Sequence, residues 1–266
     1  ALRRADRRPL VEMLTLTEDI PEDTQWAVFL RNHDELTLEM VTDEERDYMN
    51  NAYASDPRFR INVGIRRRLA PLLDGERRQI ELMNALLLSL KGSPILYYGD
   101  EIGMGDDPFL GDRNGVRTPM QWAPDKNGGF SRAAQHRLFM PSIDRGRYSY
   151  EFVNVEDAES DAHSLLHFMR RLIGFRNQHA QVFGRGSMEV LDPENPAVLA
   201  FVRAHTDEQG EGTKILVVAN LSGQMQSCHL PVRDDLQGLV PVEMGSQAAL
   251  PPLGDTPYHL PLGPHG

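Results

Sequence analysis

The chain has 266 residues, 40% of them hydrophobic, which suffices for a sizeable core in one large domain or in a large and a small one. With 28 Lys and Arg against 39 Asp and Glu, the formal net charge of −11 argues against nucleic-acid and anionic-membrane partners, so a small or neutral ligand is expected. The single cysteine, Cys228, excludes an intrachain disulfide and favours a cytoplasmic location. The longest apolar stretch, around residues 85–90, is far shorter than a membrane span.

An α/β unit is predicted in the first part of the chain. WAVFLR, residues 26–31, has the aromatic and β-branched content of a short buried strand, and PILYYGDE, residues 94–101, predicts a second one. Apolar spacings of three and four predict helices over residues 64–73 and 77–91. Two strands joined through a helix run parallel, so their C-terminal ends lie at one edge of the sheet, where α/β proteins bind ligands.

The second part of the chain changes character twice. Residues 103–150 form a long segment rich in Gly, Asp and Pro, and structureless loops of that length are usually functional. A helix is predicted over residues 163–179. From residue 184 the pattern becomes short alternating strands separated by turn residues, which predicts a separate all-β module over residues 184–266.

Carboxylates follow both predicted parallel strands. Asp34 and Glu101 stand just past the two strand ends, with Asp100 beside Glu101. Carboxylate oxygens accept paired sugar hydroxyls and stabilise positive charge at an anomeric carbon, so the pattern fits glycosidic chemistry. The alternative, that Asp34 caps the next helix and Glu101 pairs with an arginine, stays open from pattern alone. Residues 111–122, GDRNGVRTPMQW, favour sugar binding because they combine arginines, a glutamine and a tryptophan.

Three motifs resemble the α-amylase superfamily of glycosidases. FLRNHDE, residues 29–35, resembles the segment after its seventh barrel strand, and GSPILYYGDEIGMGD, residues 92–106, resembles its eighth strand. RTPMQW, residues 117–122, marks the α-glucosidase-like branch, and longer stretches around all three resemble the trehalose synthases, which are maltose α-glucosyltransferases. The resemblance implies an α/β fold: the last part of a (β/α)8 TIM barrel over residues 1–183, followed by a β-sandwich over residues 184–266.

The resemblance also implies roles for residues of these motifs. Asp34 matches the family's third catalytic carboxylate, which holds two glucose hydroxyls and stabilises the oxocarbenium-like transition state. His33 matches a histidine that hydrogen-bonds the same sugar, and Asn32 beside it is a predicted substrate-binding residue. Arg117 falls where related glucosidases place an arginine near the second sugar. The predicted partners are therefore small sugars: maltose, trehalose and glucose.

Two further carboxylates are added by hypothesis. If Asp34 opens a helical turn, Glu39 lies one turn beyond Glu35 on the same helix face. Both side chains would then lie near the acceptor sugar or a lid. Under this hypothesis, Glu39→Gln raises hydrolysis relative to isomerisation.

The family's nucleophilic aspartate and acid/base glutamate follow its fourth and fifth barrel strands, so both would precede residue 1. The resemblance therefore implies the C-terminal part of a longer chain, which assembles with the missing N-terminal part of the same protein, and a homo-oligomer is expected. No cofactor and no catalytic metal are expected. Oxygen ligands in residues 106–114 are compatible with a structural Ca²⁺ ion, but their spacing does not support one.

The implied activity is an intramolecular transfer of glucose that interconverts maltose and trehalose, with minor hydrolysis to glucose. Both linkages are α, so the transfer proceeds by retaining double displacement. Two alternatives remain at this point. One is an α-glucosidase or an amylosucrase-like hydrolase or transferase. The other, if residues 1–266 are the whole polypeptide, is a non-catalytic sugar-binding fragment.

Overall fold

The computed structural model describes residues 1–18, 20–21, 24–232, 234–254 and 256–266. They form two compact units, one of residues 27–88 and 93–178 and the other of residues 1–26, 89–92 and 179–266. The helices are α1 Arg8–Leu16, α2 Asp43–Tyr53, α3 Leu69–Leu72, α4 Arg77–Ser89, α5 Val155–Ser160, α6 Leu165–Gln178 and α7 Ala180–Arg185. The strands are β1 Ala27–Val28, β2 Leu36–Thr37, β3 Arg60–Ile61, β4 Gly64–Ile65, β5 Ser93–Pro94, β6 Ser187–Leu191, β7 Val198–Thr206, β8 Gly212–Asn220, β9 Gln226–Leu230 and β10 Tyr258–Leu262.

The predicted parallel strand pair is present. Strand β1 pairs with β5 in parallel, and the ladder continues with a hydrogen bond of 2.8 Å from the Ile95 amide to the Val28 carbonyl. Both strands are shorter than predicted over residues 26–31 and 94–101. Gly99 has a φ of 86°, which ends the extended backbone, and a 3₁₀ turn follows over Asp100–Ile102.

The helix predicted over residues 64–73 is wrong in its first half. Gly64–Ile65 form strand β4, which pairs antiparallel with both β2 and β3, and only Leu69–Leu72 are helical. A Cβ at Gly64 would lie 2.6 Å from the Leu36 carbonyl oxygen, so the close strand approach requires glycine. Tertiary pairing therefore overrides the local helical spacing.

The other predictions for this unit are largely confirmed. Helix α4 occupies most of the predicted segment 77–91 and buries Ile80 and Leu87. Helix α6 lies within the predicted 163–179. Between residues 103 and 150 the described backbone contains only short 3₁₀ turns, as expected of a long loop. The loop nevertheless contributes buried side chains, including Met104 and Val116, to the packed interior.

The C-terminal unit is an antiparallel β structure. Strands β6, β7 and β8 form one sheet with β7 in the centre, and β9 pairs with β10. Side chains of both sheets meet in one core, and the buried members are Leu191, Val198, Ala200, Val202, Cys228, Leu230 and Tyr258. Two inner faces that share a core make a small sandwich.

The first residues of the chain pack in this same C-terminal unit. Arg7 donates to Asp192 at 2.5 Å, and its amide donates to the Pro196 carbonyl at 2.8 Å. The structure thus groups residues 1–26 with the β module, whereas the sequence places them in the barrel part. The predicted boundary at 183/184 stays a prediction. Within the described ranges, no helix is long and apolar enough to cross a membrane.

Candidate active site

Asp34 lies in the connection between β1 and β2, on well-anchored backbone. Its amide donates to Asn32 Oδ1 at 2.9 Å, and its carbonyl accepts from Arg31 Nη2 at 3.1 Å. Arg31 is buried and also donates to the carbonyls of Arg67, at 2.6 Å, and Ile65, at 3.3 Å. Since a buried guanidinium that donates to several carbonyls fixes the backbone around it, Arg31 holds this segment against the β4 region.

Three cationic or ionisable side chains surround the Asp34 carboxylate. Arg113 Nε lies 2.9 Å and Arg117 Nη2 3.0 Å from Oδ1, while His33 Nε2 lies 3.2 Å from Oδ2. The Asp34 side chain remains 43% exposed and that of His33 66% exposed. A carboxylate oriented from one side and open on the other can accept hydroxyl donors from a bound solute.

Arg117 joins the long loop to the strand-end motif. Its Nε donates to the His33 carbonyl at 2.9 Å, and its Nη2 donates to Asp34 Oδ1 at 3.0 Å. The structure therefore brings together four predicted site residues, Asn32, His33, Asp34 and Arg117. Their individual roles stay predictions.

Glu35 is held by a fork of the Arg113 guanidinium. Arg113 Nε donates to Oε2 at 2.7 Å and Nη2 to Oε1 at 3.0 Å, and Asn62 Nδ2 donates to Oε1 at 2.9 Å. These bonds, the Arg113 bond foremost, lower the pKa of Glu35 to about 2. The sequence places Arg113 with Arg117, Gln121 and Trp122 in the segment expected to bind sugar, but it gives no sign that Arg113 pairs with Glu35. No motif in the sequence points to Asn62.

The proposed pairing of Glu39 with Glu35 is wrong in its premise. The backbone after Asp34 is extended through β2 instead of helical, so Glu35 and Glu39 do not share a helix face. Glu39 lies exposed in the turn that follows. The next helix is α2, which begins with its own capping box at Thr42. Asp34 therefore does not cap α2, so the first half of the alternative left open by the sequence, a capping role for Asp34, is excluded.

A buried polar cluster follows β5. Arg68 is fully buried between Tyr97 and Tyr98, its Cζ 4.6 Å from each ring centroid, and it donates to the Tyr98 carbonyl at 2.6 Å. Its Nη1 lies 3.9 Å from Asp100 Oδ1, too far for a hydrogen bond. Burial raises the pKa of Asp100 to about 7, against the opposing effect of Arg68. Glu101, half-buried in the same turn, adds to the rise.

Replacing Asp100 with Asn should change how stability depends on pH. The folded protein keeps a proton on Asp100 up to about pH 7, whereas an unfolded Asp releases it near 3.8. The stability contributed by this group is therefore present below pH 3.8 and is lost as pH rises through about 7. Asp100→Asn should melt at a higher temperature than the native protein at pH 8, and this difference should be smaller at pH 5, where only part of the contribution is lost. Thermal unfolding at both pH values checks this, with exposed Asp144→Asn as control, and an equal difference at both would contradict it.

Metal ligands are not grouped in this region. Among the described residues, no group of three or more His, Cys, Asp and Glu side chains is arranged to hold a metal ion. Of the oxygen-bearing side chains in residues 106–114, those of Asp106 and Asp112 are paired with arginines. Asp106 accepts from the Arg68 amide at 2.9 Å and lies 3.3 Å from Arg67 Nε.

Two family models match the chain. The alpha amylase catalytic domain matches residues 65–186, and the C-terminal domain of maltogenic amylase matches residues 188–266. All of the chain aligns with the trehalose synthase of Thermus thermophilus at 61% identity, with that of Pimelobacter sp. at 54%, and with the trehalose synthase/amylase TreS of Mycolicibacterium smegmatis at 52%. The chain belongs to the α-amylase superfamily. Within that superfamily, its sequence is similar along its whole length to these proteins named trehalose synthase.

The fold prediction is confirmed by solved members of the superfamily. The α-amylase from H. orenii matches with a TM-score of 0.59 at 23% identity, over 90% of this chain and 38% of that one. A trehalulose synthase, MutB, matches with a TM-score of 0.56 at 21% identity, over 90% of this chain and 42% of that one. The chain is thus the last part of the (β/α)8 barrel followed by the β-sandwich. It spans 27%, 46% and 45% of the three curated relatives named above.

Proposed function

We propose that the full-length protein interconverts maltose and trehalose by intramolecular transfer of a glucosyl group, with minor hydrolysis to glucose. The support is 52% to 61% identity over the whole chain with proteins named trehalose synthase. The observation that carries the proposal is the Asp34 carboxylate, oriented by Arg113, Arg117 and His33 yet 43% exposed. In this proposal the nucleophile and the acid/base come from the preceding part of the protein.

The transfer changes an α-1,4 linkage into an α-1,1 linkage without inverting the anomeric carbon. Retention requires two displacements through a covalent glucosyl-enzyme, because each displacement inverts the centre once. Asp34 accepts two hydroxyls of the transferred glucose, and its negative charge stabilises the oxocarbenium-like transition state at both steps. His33 hydrogen-bonds the same sugar, Asn32 fixes the Asp34 backbone, and Arg117 lies toward the second sugar.

The freed glucose must change its orientation within the site before its anomeric hydroxyl attacks the glucosyl-enzyme. Water competes for the glucosyl-enzyme at that moment, so the site has to be covered for isomerisation to outrun hydrolysis. Arg113 and Arg117 both come from the loop of residues 103–150 and both contact Asp34. This attachment gives the loop a direct means of covering the donor site.

Product analysis on the full-length protein tests the proposal. With maltose and added ¹³C-glucose, we expect trehalose as the main product, little free glucose, and no label in the trehalose, since the transfer is intramolecular. We propose that no cofactor is required, so dialysis against EDTA should leave the rate unchanged. Glucose alone would favour an α-glucosidase and contradict the proposal, and labelled trehalose would contradict the intramolecular step.

A further inference from the structure

Asn62 lies at the tip of the β3–β4 hairpin and reaches back to Glu35. Its φ of 50° is left-handed, a conformation that Asn tolerates better than most residues, and it turns the chain from β3 into β4. Its Nδ2 donates to Glu35 Oε1 at 2.9 Å. At Gly64 a Cβ would lie 2.8 Å from Glu35 Cγ. The hairpin thus leaves room for the Glu35 side chain at one position and binds its carboxylate at another.

Glu35 in turn shares Arg113 with Asp34. Arg113 Nε lies 2.7 Å from Glu35 Oε2 and 2.9 Å from Asp34 Oδ1, and Nη2 donates to Glu35 Oε1 at 3.0 Å. The two carboxylates differ in exposure, at 13% for Glu35 and 43% for Asp34. The less exposed carboxylate, Glu35, is therefore bound by two nitrogens of the guanidinium, and the more exposed one, Asp34, is contacted by one.

We propose that Asn62 is a positioning residue that keeps Glu35 in place to bind Arg113, and thereby keeps Asp34 free for sugar hydroxyls. This inference rests on the proposed function, because it concerns the affinity of the same sugar site. It assigns Asn62 no contact with substrate.

The reason lies in the geometry of guanidinium groups. An arginine between two carboxylates favours the one that offers both oxygens in its plane, because paired parallel bonds are stronger than one. Asn62 orients Glu35 to offer both. When Glu35 is less constrained, Arg113 can turn its fork to Asp34 and cover the oxygens that the sugar needs. Binding of the sugar then has to displace Arg113 first, which weakens affinity without altering the chemical step.

The test uses Asn62→Gly and Asn62→Asp in the full-length protein. Glycine and aspartate both tolerate the left-handed backbone, so the hairpin is retained while the amide donor is lost. We expect glucose affinity, measured by calorimetry, to fall about tenfold in Asn62→Gly, as the loss of one hydrogen bond to a charged group implies. Asn62→Asp should fall further, because a second carboxylate then faces Glu35. KM for maltose should rise in parallel, with kcat nearly unchanged.

Matched variants separate positioning from a structural effect. Val63→Thr, at the neighbouring half-exposed tip position, should leave glucose affinity unchanged. In a Glu35→Ala background, Asn62→Gly should cause no further loss, since Asn62 acts through Glu35. A further tenfold loss in that background, or an affinity of Asn62→Gly within twofold of the native value, would overturn the inference. Trehalose formation by the native protein is measured separately. Failure of the proposed reaction can therefore be distinguished from failure of the inference about Asn62.

Discussion

Asp34→Asn in the full-length protein is expected to lower kcat for maltose by about a hundredfold to a thousandfold, the range seen when one group that stabilises transition-state charge is removed. Asparagine keeps the shape and one acceptor oxygen but loses the negative charge that the developing oxocarbenium ion needs. Its contacts with Arg113 and Arg117 weaken at the same time. Because the transition state carries more positive charge than the substrate, kcat should fall more than KM rises.

Asp34→Asn should have little effect on the stability of the fold. The Asp34 side chain is 43% exposed, and ion pairs of that exposure contribute about 0–1 kcal/mol. Thermal unfolding of Asp34→Asn should therefore stay close to the native curve. Asp47→Asn, on the exposed face of α2, serves as the matched control and should retain full activity. Retention of more than a tenth of native kcat in Asp34→Asn would contradict the role proposed for this carboxylate.

Local sequence patterns were sufficient to predict elements whose secondary structure depends mainly on their own residues. Helix α4 has regularly spaced apolar residues and few breakers, so periodicity located it to within two residues of its end. The strands of the C-terminal unit are short and bounded by turn residues, and β6, β7 and β8 all lie within the all-β module predicted from residue 184. The parallel β1–β5 pair followed from strand order alone, because a crossover connection permits little else.

Local patterns failed where pairing with a segment distant in sequence determines the secondary structure. Residues 64–65 have helical spacing, yet they form a strand because β2 and β3 are available to pair with them on both sides. The helical turn assumed after Asp34 fails for the same reason, since residues 36–37 pair with β4. Arg113 contacts Asp34 from 79 positions further along the sequence. No motif around either residue indicates which carboxylate the arginine will bind. Partner choice is a tertiary property.

Arg203→Met is expected to have the largest effect on stability. Arg203, in strand β7, is fully buried, and Nε donates to the Ser187 carbonyl at 3.0 Å. Nη1 donates to Ser89 at 2.9 Å, and Nη2 is shared by three further carbonyls, those of Val182, Phe183 and Gly186. Methionine fills similar volume but donates nothing, so five carbonyls lose a donor, although that of Val182 still accepts from the Gly186 amide at 3.1 Å. We expect a loss of about 3–5 kcal/mol, since each unmet buried acceptor costs about 1–3 kcal/mol and some will recruit water.

Hydrogen exchange of the β7 and β8 amides in the full-length protein measures this loss in the unit where it arises. Exposed Arg185→Met, on the last turn of α7, removes the same charge without removing buried donors and should change exchange by less than about 0.5 kcal/mol. If Arg203→Met proves equally mild, the carbonyls around residue 203 are satisfied without the guanidinium. Both variants lose the same charge from the same unit. The expected difference in stability between them therefore comes from the buried carbonyls that lose a donor in Arg203→Met and not in Arg185→Met.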